Sequence, residues 1–125
     1  DRLTDEFEVV PAEGHADVHE FDWLFHCSGE LGSPLKFRPC EPPGSADGYQ
    51  LMLETASCAV DGDWEATWTL GNKSVTLRME GEPGTTVYIF KGYEHRLDRV
   101  RWGVLVRRVG RRATFRARYE WTMDR

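Results

Sequence analysis

Apolar residues fall at every second position over much of this chain. In Trp64-Glu65-Ala66-Thr67-Trp68-Thr69-Leu70 the large side chains alternate with polar ones, and Val75, Leu77 and Met79 alternate with Thr76, Arg78 and Glu80. The same period runs from Ala113 through Phe115, Ala117, Tyr119 and Trp121, with Thr114, Arg116, Arg118 and Glu120 on the other face. That stretch would extend roughly 30 Å at about 3.3 Å per residue. Further strands are expected over 6–10, 19–27, 49–55, 85–90 and 102–109, all rich in aromatic and β-branched residues. No segment carries a helical period.

Turn chemistry separates these runs. Asp61-Gly62-Asp63, Gly71-Asn72-Lys73, Glu82-Pro83-Gly84 and Val109-Gly110-Arg111 supply the residues that reversals need, and Asp61-Gly62 and Gly71-Asn72 are expected to be hairpin tips. Short strands at near-regular spacing without intervening helices predict an all-β fold, an antiparallel β-sandwich with a β-barrel as the alternative. Residues 32–48 break the pattern with four prolines and several glycines, and are expected to form an irregular surface excursion that carries specificity.

A chain of 125 residues has the size of one domain, 1–125, and no apolar run approaches the roughly 18 residues of a membrane helix. The formal charge of −5 argues against nucleic acid as a partner, but the charge is unevenly spread. Acidic residues dominate before Lys91; beyond it come Arg96, Arg99, Arg101, Arg107, Arg108, Arg111, Arg112, Arg116 and Arg118. Such arginines on strands pair with acidic neighbours such as Glu65, Glu80 and Glu82, or present a surface to an anionic ligand. Cys27, Cys40 and Cys58 lack metal-binding spacing, and three cysteines allow at most one disulfide. The chain starts at Asp1 rather than Met, so it is expected to be a fragment of a larger protein. The compartment of that parent is left open.

The densest chemistry lies in His19-Glu20-Phe21-Asp22-Trp23-Leu24-Phe25-His26-Cys27. On a strand, His19, Phe21, Trp23 and Phe25 share one face and Glu20, Asp22, Leu24 and His26 the other. Asp22 and His26 then stand roughly 13 Å apart at about 3.3 Å per residue, too far to hold one ion. His15 and Asp17 could contribute only if the preceding loop folds back. A metal site is therefore not expected, nor any cofactor. The polar face makes a different demand: Asp22 and His26 must each meet water or a partner such as an arginine. Gly-rich phosphate loops, GxSxG elbows and helical HExxH motifs are absent from the sequence.

The segment 19–26 with Gly29-Glu30 resembles the H-x-[YF]-D-W-x-x-H…G stretch of the β-sandwich region in heparinase II/III-like polysaccharide lyases, a group that includes oligoalginate lyases. The later order is similar too: a Gly-Asp-Trp turn with Trp64 and Trp68, then Pro83-Gly84-Thr85-Thr86-Val87, then Val106-Arg107-Arg108-Val109-Gly110 and Ala113-Thr114-Phe115. The resemblance implies the C-terminal sandwich of an enzyme that cleaves uronic-acid-containing glycans by β-elimination. The acid/base tyrosine of such enzymes lies in a helical domain that this chain does not contain, so no catalytic residue is transferred, and Gly14-His15-Ala16-Asp17 comes too late in the expected order to serve.

Three functions follow as expectations. The first is a non-catalytic accessory domain, with the missing helical catalytic domain as its partner and an exposed apolar docking patch that includes Trp102 or Trp121. The second is a carbohydrate-binding module for an acidic polysaccharide, using Trp23, Tyr93, Trp102, Arg107, Arg108, Arg111 and Arg112. The third is a small metal-dependent enzyme built on His19, Asp22 and His26.

Overall fold

A computed structural model describes residues 1–14, 17–93 and 100–122. In chain order the strands are β1 (Arg2–Val9), β2 (His19–Cys27), β3 (Glu30–Gly32), β4 (Arg38–Pro39), β5 (Leu53–Val60), β6 (Trp64–Leu70), β7 (Lys73–Met79), β8 (Thr85–Tyr93), β9 (Val100–Gly110) and β10 (Ala113–Thr122). They form two antiparallel sheets of five strands: β1-β10-β7-β6-β3, called sheet A, and β2-β9-β8-β5-β4, called sheet B. The sheets do not close into a barrel, so the expected sandwich is the architecture.

Alternation decides which side chains fill the space between the sheets. Trp64, Ala66 and Trp68 of β6, Leu77 and Met79 of β7, and Phe115 and Ala117 of β10 meet Val87 of β8 and Val104 and Val106 of β9. Phe25 of β2 joins this core edge-on to Trp68, with ring centroids 5.1 Å apart. The Trp68 indole nitrogen would be costly to bury alone, and it donates across the sandwich to the Trp102 carbonyl at 3.0 Å.

Three sequence expectations change. The strand expected over 6–10 starts at Arg2 and ends at Val9. Over 49–55 the chain forms a 3-10 helix, Tyr49–Leu51, and strand β5 starts only at Leu53, with a bulge before Ala56 and Glu54 at φ 49°. The β-rich composition of this run is overridden by the left-handed backbone at Asp47 and Gly48, which bends the chain before the strand can start. Gly71-Asn72 is indeed the tip of the β6–β7 hairpin, but Asp61-Gly62 is not a hairpin tip. It carries the chain from β5 in sheet B to β6 in sheet A, and the bend at 80–84 lies against it so closely that a Cβ at Gly81 would land on the Gly62 backbone. Local turn chemistry marks a reversal without saying whether the two strands will share a sheet.

The 32–48 excursion contains the short strand β4 on the edge of sheet B. Its later part lies over the outer face of that sheet as a strap. Leu105 alternates with the core residues Val104 and Val106 and so points outward, yet it is fully buried, as is most of Phe90. Gly103 allows the close fit, because a Cβ there would stand 2.6 Å from the Phe90 ring.

Candidate functional site

The outer face of β2 carries Asp22, and antiparallel register sets it directly opposite Arg107 of β9. Directly paired positions bring side chains close enough for a bidentate contact. Arg107 donates from Nε to Asp22 Oδ1 at 2.8 Å and from Nη2 to Oδ2 at 2.9 Å. The Tyr49 hydroxyl donates to the same Oδ2 at 2.6 Å, and the remaining Arg107 nitrogen, Nη1, donates to the Pro43 carbonyl at 2.9 Å. Tyr88 lies beneath, with the guanidinium carbon 5.7 Å from its ring. Glu20 completes the cluster at 3.6 Å from Arg107 Nε.

Burial alone would raise the Asp22 carboxyl, but the hydrogen bonds from Arg107 and Tyr49 and the Arg107 charge outweigh it and hold the group below the usual carboxylate range. Burial, reinforced by the hydrogen bond to Asp22 and by its charge, pushes the Tyr49 phenol up to about 12. The Asp22 hydrogen bond also raises Arg107. Asp22 is thus a fixed anion with both oxygens engaged. Its chemical effect is to tie three separate segments together: β2, β9 and the strap. Of the two ways open to Asp22, water or a partner, the structure shows a partner, an arginine 85 residues away in sequence.

His26 lies on the same face but is exposed, opposite Gly103, and does not join Asp22. His19 is exposed, with its ring 6.2 Å from Phe21. Among the described residues no three His, Cys, Asp or Glu side chains converge as metal ligands. His15 lies outside the described residues, as do Arg96 and Arg99.

The suspected glycan-facing residues fall into four different surroundings. Trp23 points between the sheets and stacks on Phe25 at 6.3 Å. Arg108 also points inward, its side chain 5% exposed, over the Phe115 ring at 4.9 Å. It donates to Thr85 Oγ1 at 3.0 Å, to the Glu80 carbonyl at 2.9 Å and to the Thr114 carbonyl, which fastens one end of the sandwich. Burial lowers its pKa, opposed by Glu82 3.9 Å away. Arg107 is held by Asp22 as described. Trp102 is half-buried under Lys91, whose nitrogen is 5.1 Å from the ring centroid, and Tyr93 is exposed on the neighbouring strand. Arg111 and Arg112 are exposed at the β9–β10 turn. From Trp102 to that turn is roughly 26 Å at about 3.3 Å per residue, so aromatics and free arginines sit at opposite ends of β9.

Two further surfaces had no single signature in the sequence. The outer face of sheet A is a furrow of about 650 Å³ walled by Pro34 and Leu35. Its floor alternates in sign: Arg78 bonds Glu65 at 2.8 Å and Glu120 at 2.9 Å, Arg116 meets Glu6 at 3.2 Å and Glu80 at 3.5 Å, and Arg118 meets Glu120 at 3.3 Å. The second is a cleft of about 470 Å³ at the open edge of the sandwich, where β1 extends sheet A. Tyr49 had no signal in the sequence as a partner of Asp22, because the contact joins residues 27 apart.

Compared with known protein families and with curated proteins, the chain matches none.

Proposed function

We propose that this chain is a non-catalytic β-sandwich accessory domain of a polysaccharide lyase that cleaves uronic-acid-containing glycans by β-elimination. One observation carries this reading. Asp22, the polar centre of the motif that resembles the lyase sandwich, is engaged on both oxygens by Arg107 and Tyr49. A residue so held stabilises a scaffold. Proton abstraction beside a uronate would instead need a base free to accept a proton and placed within reach of the sugar. The resemblance supplies the enzyme class, and the Asp22 lock supports a supporting part within it.

The test compares residues 1–125 with the full-length product of the gene that encodes them. Both are incubated with alginate, heparin and chondroitin sulfate, and ultraviolet absorbance of the unsaturated uronate product is followed. Product is expected from the full-length polypeptide alone, and the coding sequence upstream of Asp1 is expected to specify a helical region with a catalytic tyrosine. Product formed by residues 1–125 on their own would refute the accessory role.

A further inference from the structure

The sandwich is covered unequally. On β1, Leu3, Asp5 and Phe7 point the same way as their partners Tyr119, Ala117 and Phe115. Phe115 and Ala117 are buried, whereas Leu3 and Phe7 are 56% and 53% exposed, because sheet B does not extend over this edge. The cleft left there is lined chiefly by Leu3, Asp5, Phe25, Val75, Tyr119 and Trp121. Phe25 and Tyr119 face each other with centroids 5.1 Å apart and planes tilted by 46°.

The lining selects by charge. Aromatic faces carry negative electrostatic potential and attract organic cations, and Asp5 adds a carboxylate for which the described residues provide no ion pair. Burial and the Asp5 charge together push the Tyr119 phenol up to about 12, a sign that the carboxylate acts within the cleft. A uronate or sulfate would be repelled there. Beside the cleft, Leu3 and Phe7 flank Asp5 on the same face, an apolar margin that spans roughly 13 Å at about 3.3 Å per residue. The complement of such a surface is a basic group on an apolar stem.

We propose that this cleft docks an arginine or lysine side chain from the surface of a partner protein, with the stem against Leu3 and the aromatic rings and the charge at Asp5. Arginine and aromatic residues are enriched at the centres of protein interfaces, where an anchor fills a pocket and the surrounding contacts exclude water. The proposal rests on the accessory-domain reading for the existence of a partner, and it names the chemistry that partner must present. It also separates the protein-facing edge from any surface that meets acidic glycan.

The experiment follows the five tryptophan indole N–H groups of the chain by NMR, with the Trp121 signal assigned through Trp121→Phe. Acetyl-arginyl-leucinamide is expected to shift that signal saturably in the millimolar range. Acetyl-glutamyl-leucinamide at equal ionic strength should not. Asp5→Asn, an exposed position on an edge strand, should weaken the arginine probe by roughly tenfold through loss of one charge-assisted contact. No saturable shift, an equal response to the glutamyl probe, or no loss in Asp5→Asn would overturn the proposal. Tighter binding of tetramethylammonium than of the arginine probe would also overturn it, by assigning the cleft to small onium ligands. A silent cleft leaves the lyase assay untouched, and a chain that cleaves glycan alone refutes the accessory role whatever the cleft binds.

Discussion

The outer faces of the two sheets both carry arginine–carboxylate pairs, and they use them in opposite ways. On sheet A the pairs lie open: the side chains of Arg78 and Glu65 are 43% and 42% exposed, and Glu120 is shared between two arginines. On sheet B one pair, Asp22 and Arg107, is 15% and 14% exposed, and each of the three Arg107 nitrogens donates to a directed partner. Exposed pairs are screened by water and salt, whereas a covered pair that loses one member leaves a charge stranded. The same two residue types therefore decorate one face and fasten the other.

The largest effect is expected from breaking the covered pair. Asp22→Ala removes the acceptor for Arg107 and for the Tyr49 hydroxyl and should cost about 3 kcal/mol in chemical denaturation. Arg107→Ala should cost a similar amount, and the double substitution should cost less than the sum of the two, since the second change then removes an already stranded charge. Additive costs would mean that the two groups do not act as a unit. Acid provides an independent check. Because the folded-state pKa of Asp22 is depressed below 3.8, its contribution is present above that value and is lost as pH falls through it and on through the lower folded-state value. The stability difference between the natural protein and Asp22→Asn should therefore shrink below about pH 4. A constant difference down to strong acid would contradict the lock.

Removing only the tyrosine hydroxyl tests the strap. Tyr49→Phe keeps the ring and loses one hydrogen bond to a charged acceptor, with an expected cost of about 1.5 kcal/mol. The alkaline side carries the opposite sign to Asp22. A phenol raised from 10.0 to about 12 in the folded state stabilises fully below 10 and loses that contribution as pH rises through 12. Ultraviolet titration of the native protein should show Tyr49 and Tyr119 ionising only near 12. Tyr49→Phe should remove one of the two. Two late tyrosines in that variant would mean that Tyr49 is not the held phenol.

These sites also show what could be read from the chain. Alternation identified β6 with both boundaries and sorted Phe115 and Ala117 from Arg116 and Arg118, because a two-residue period is imposed by the strand itself, and aromatic and β-branched content identified β2 with both boundaries. Alternation also showed that Asp22 had to meet water or a partner such as an arginine. It could not name Arg107 or Tyr49, since register between β2 and β9 and the path of the strap are set by packing of the whole sandwich. Arg108 was misleading for the same reason: its neighbours alternate correctly, but nothing local says that an inward arginine will find the carbonyls of Glu80 and Thr114. The strands β3 and β4 are too short for any period to register.

The smallest effect is expected on sheet A, and it decides whether the contrast between the faces is real. Arg78 and Arg116 have their pKa values raised by hydrogen bonds to Glu65 and Glu6 respectively, yet both side chains are open to water. Alanine at either position should leave the melting temperature unchanged within error, and added salt should not alter that result, because these attractions are already screened. The network could still matter collectively, since Arg78 links Glu65 on β6 to Glu120 on β10 across β7. Substituting Arg78 and Arg116 together separates the two cases. If the pair of changes is as silent as each alone, the alternating charges serve to keep this face solvated and unattractive to other sheets. A drop in melting temperature comparable to that of Asp22→Ala would show that exposure is no guide to importance here, and the distinction between the two faces would fall.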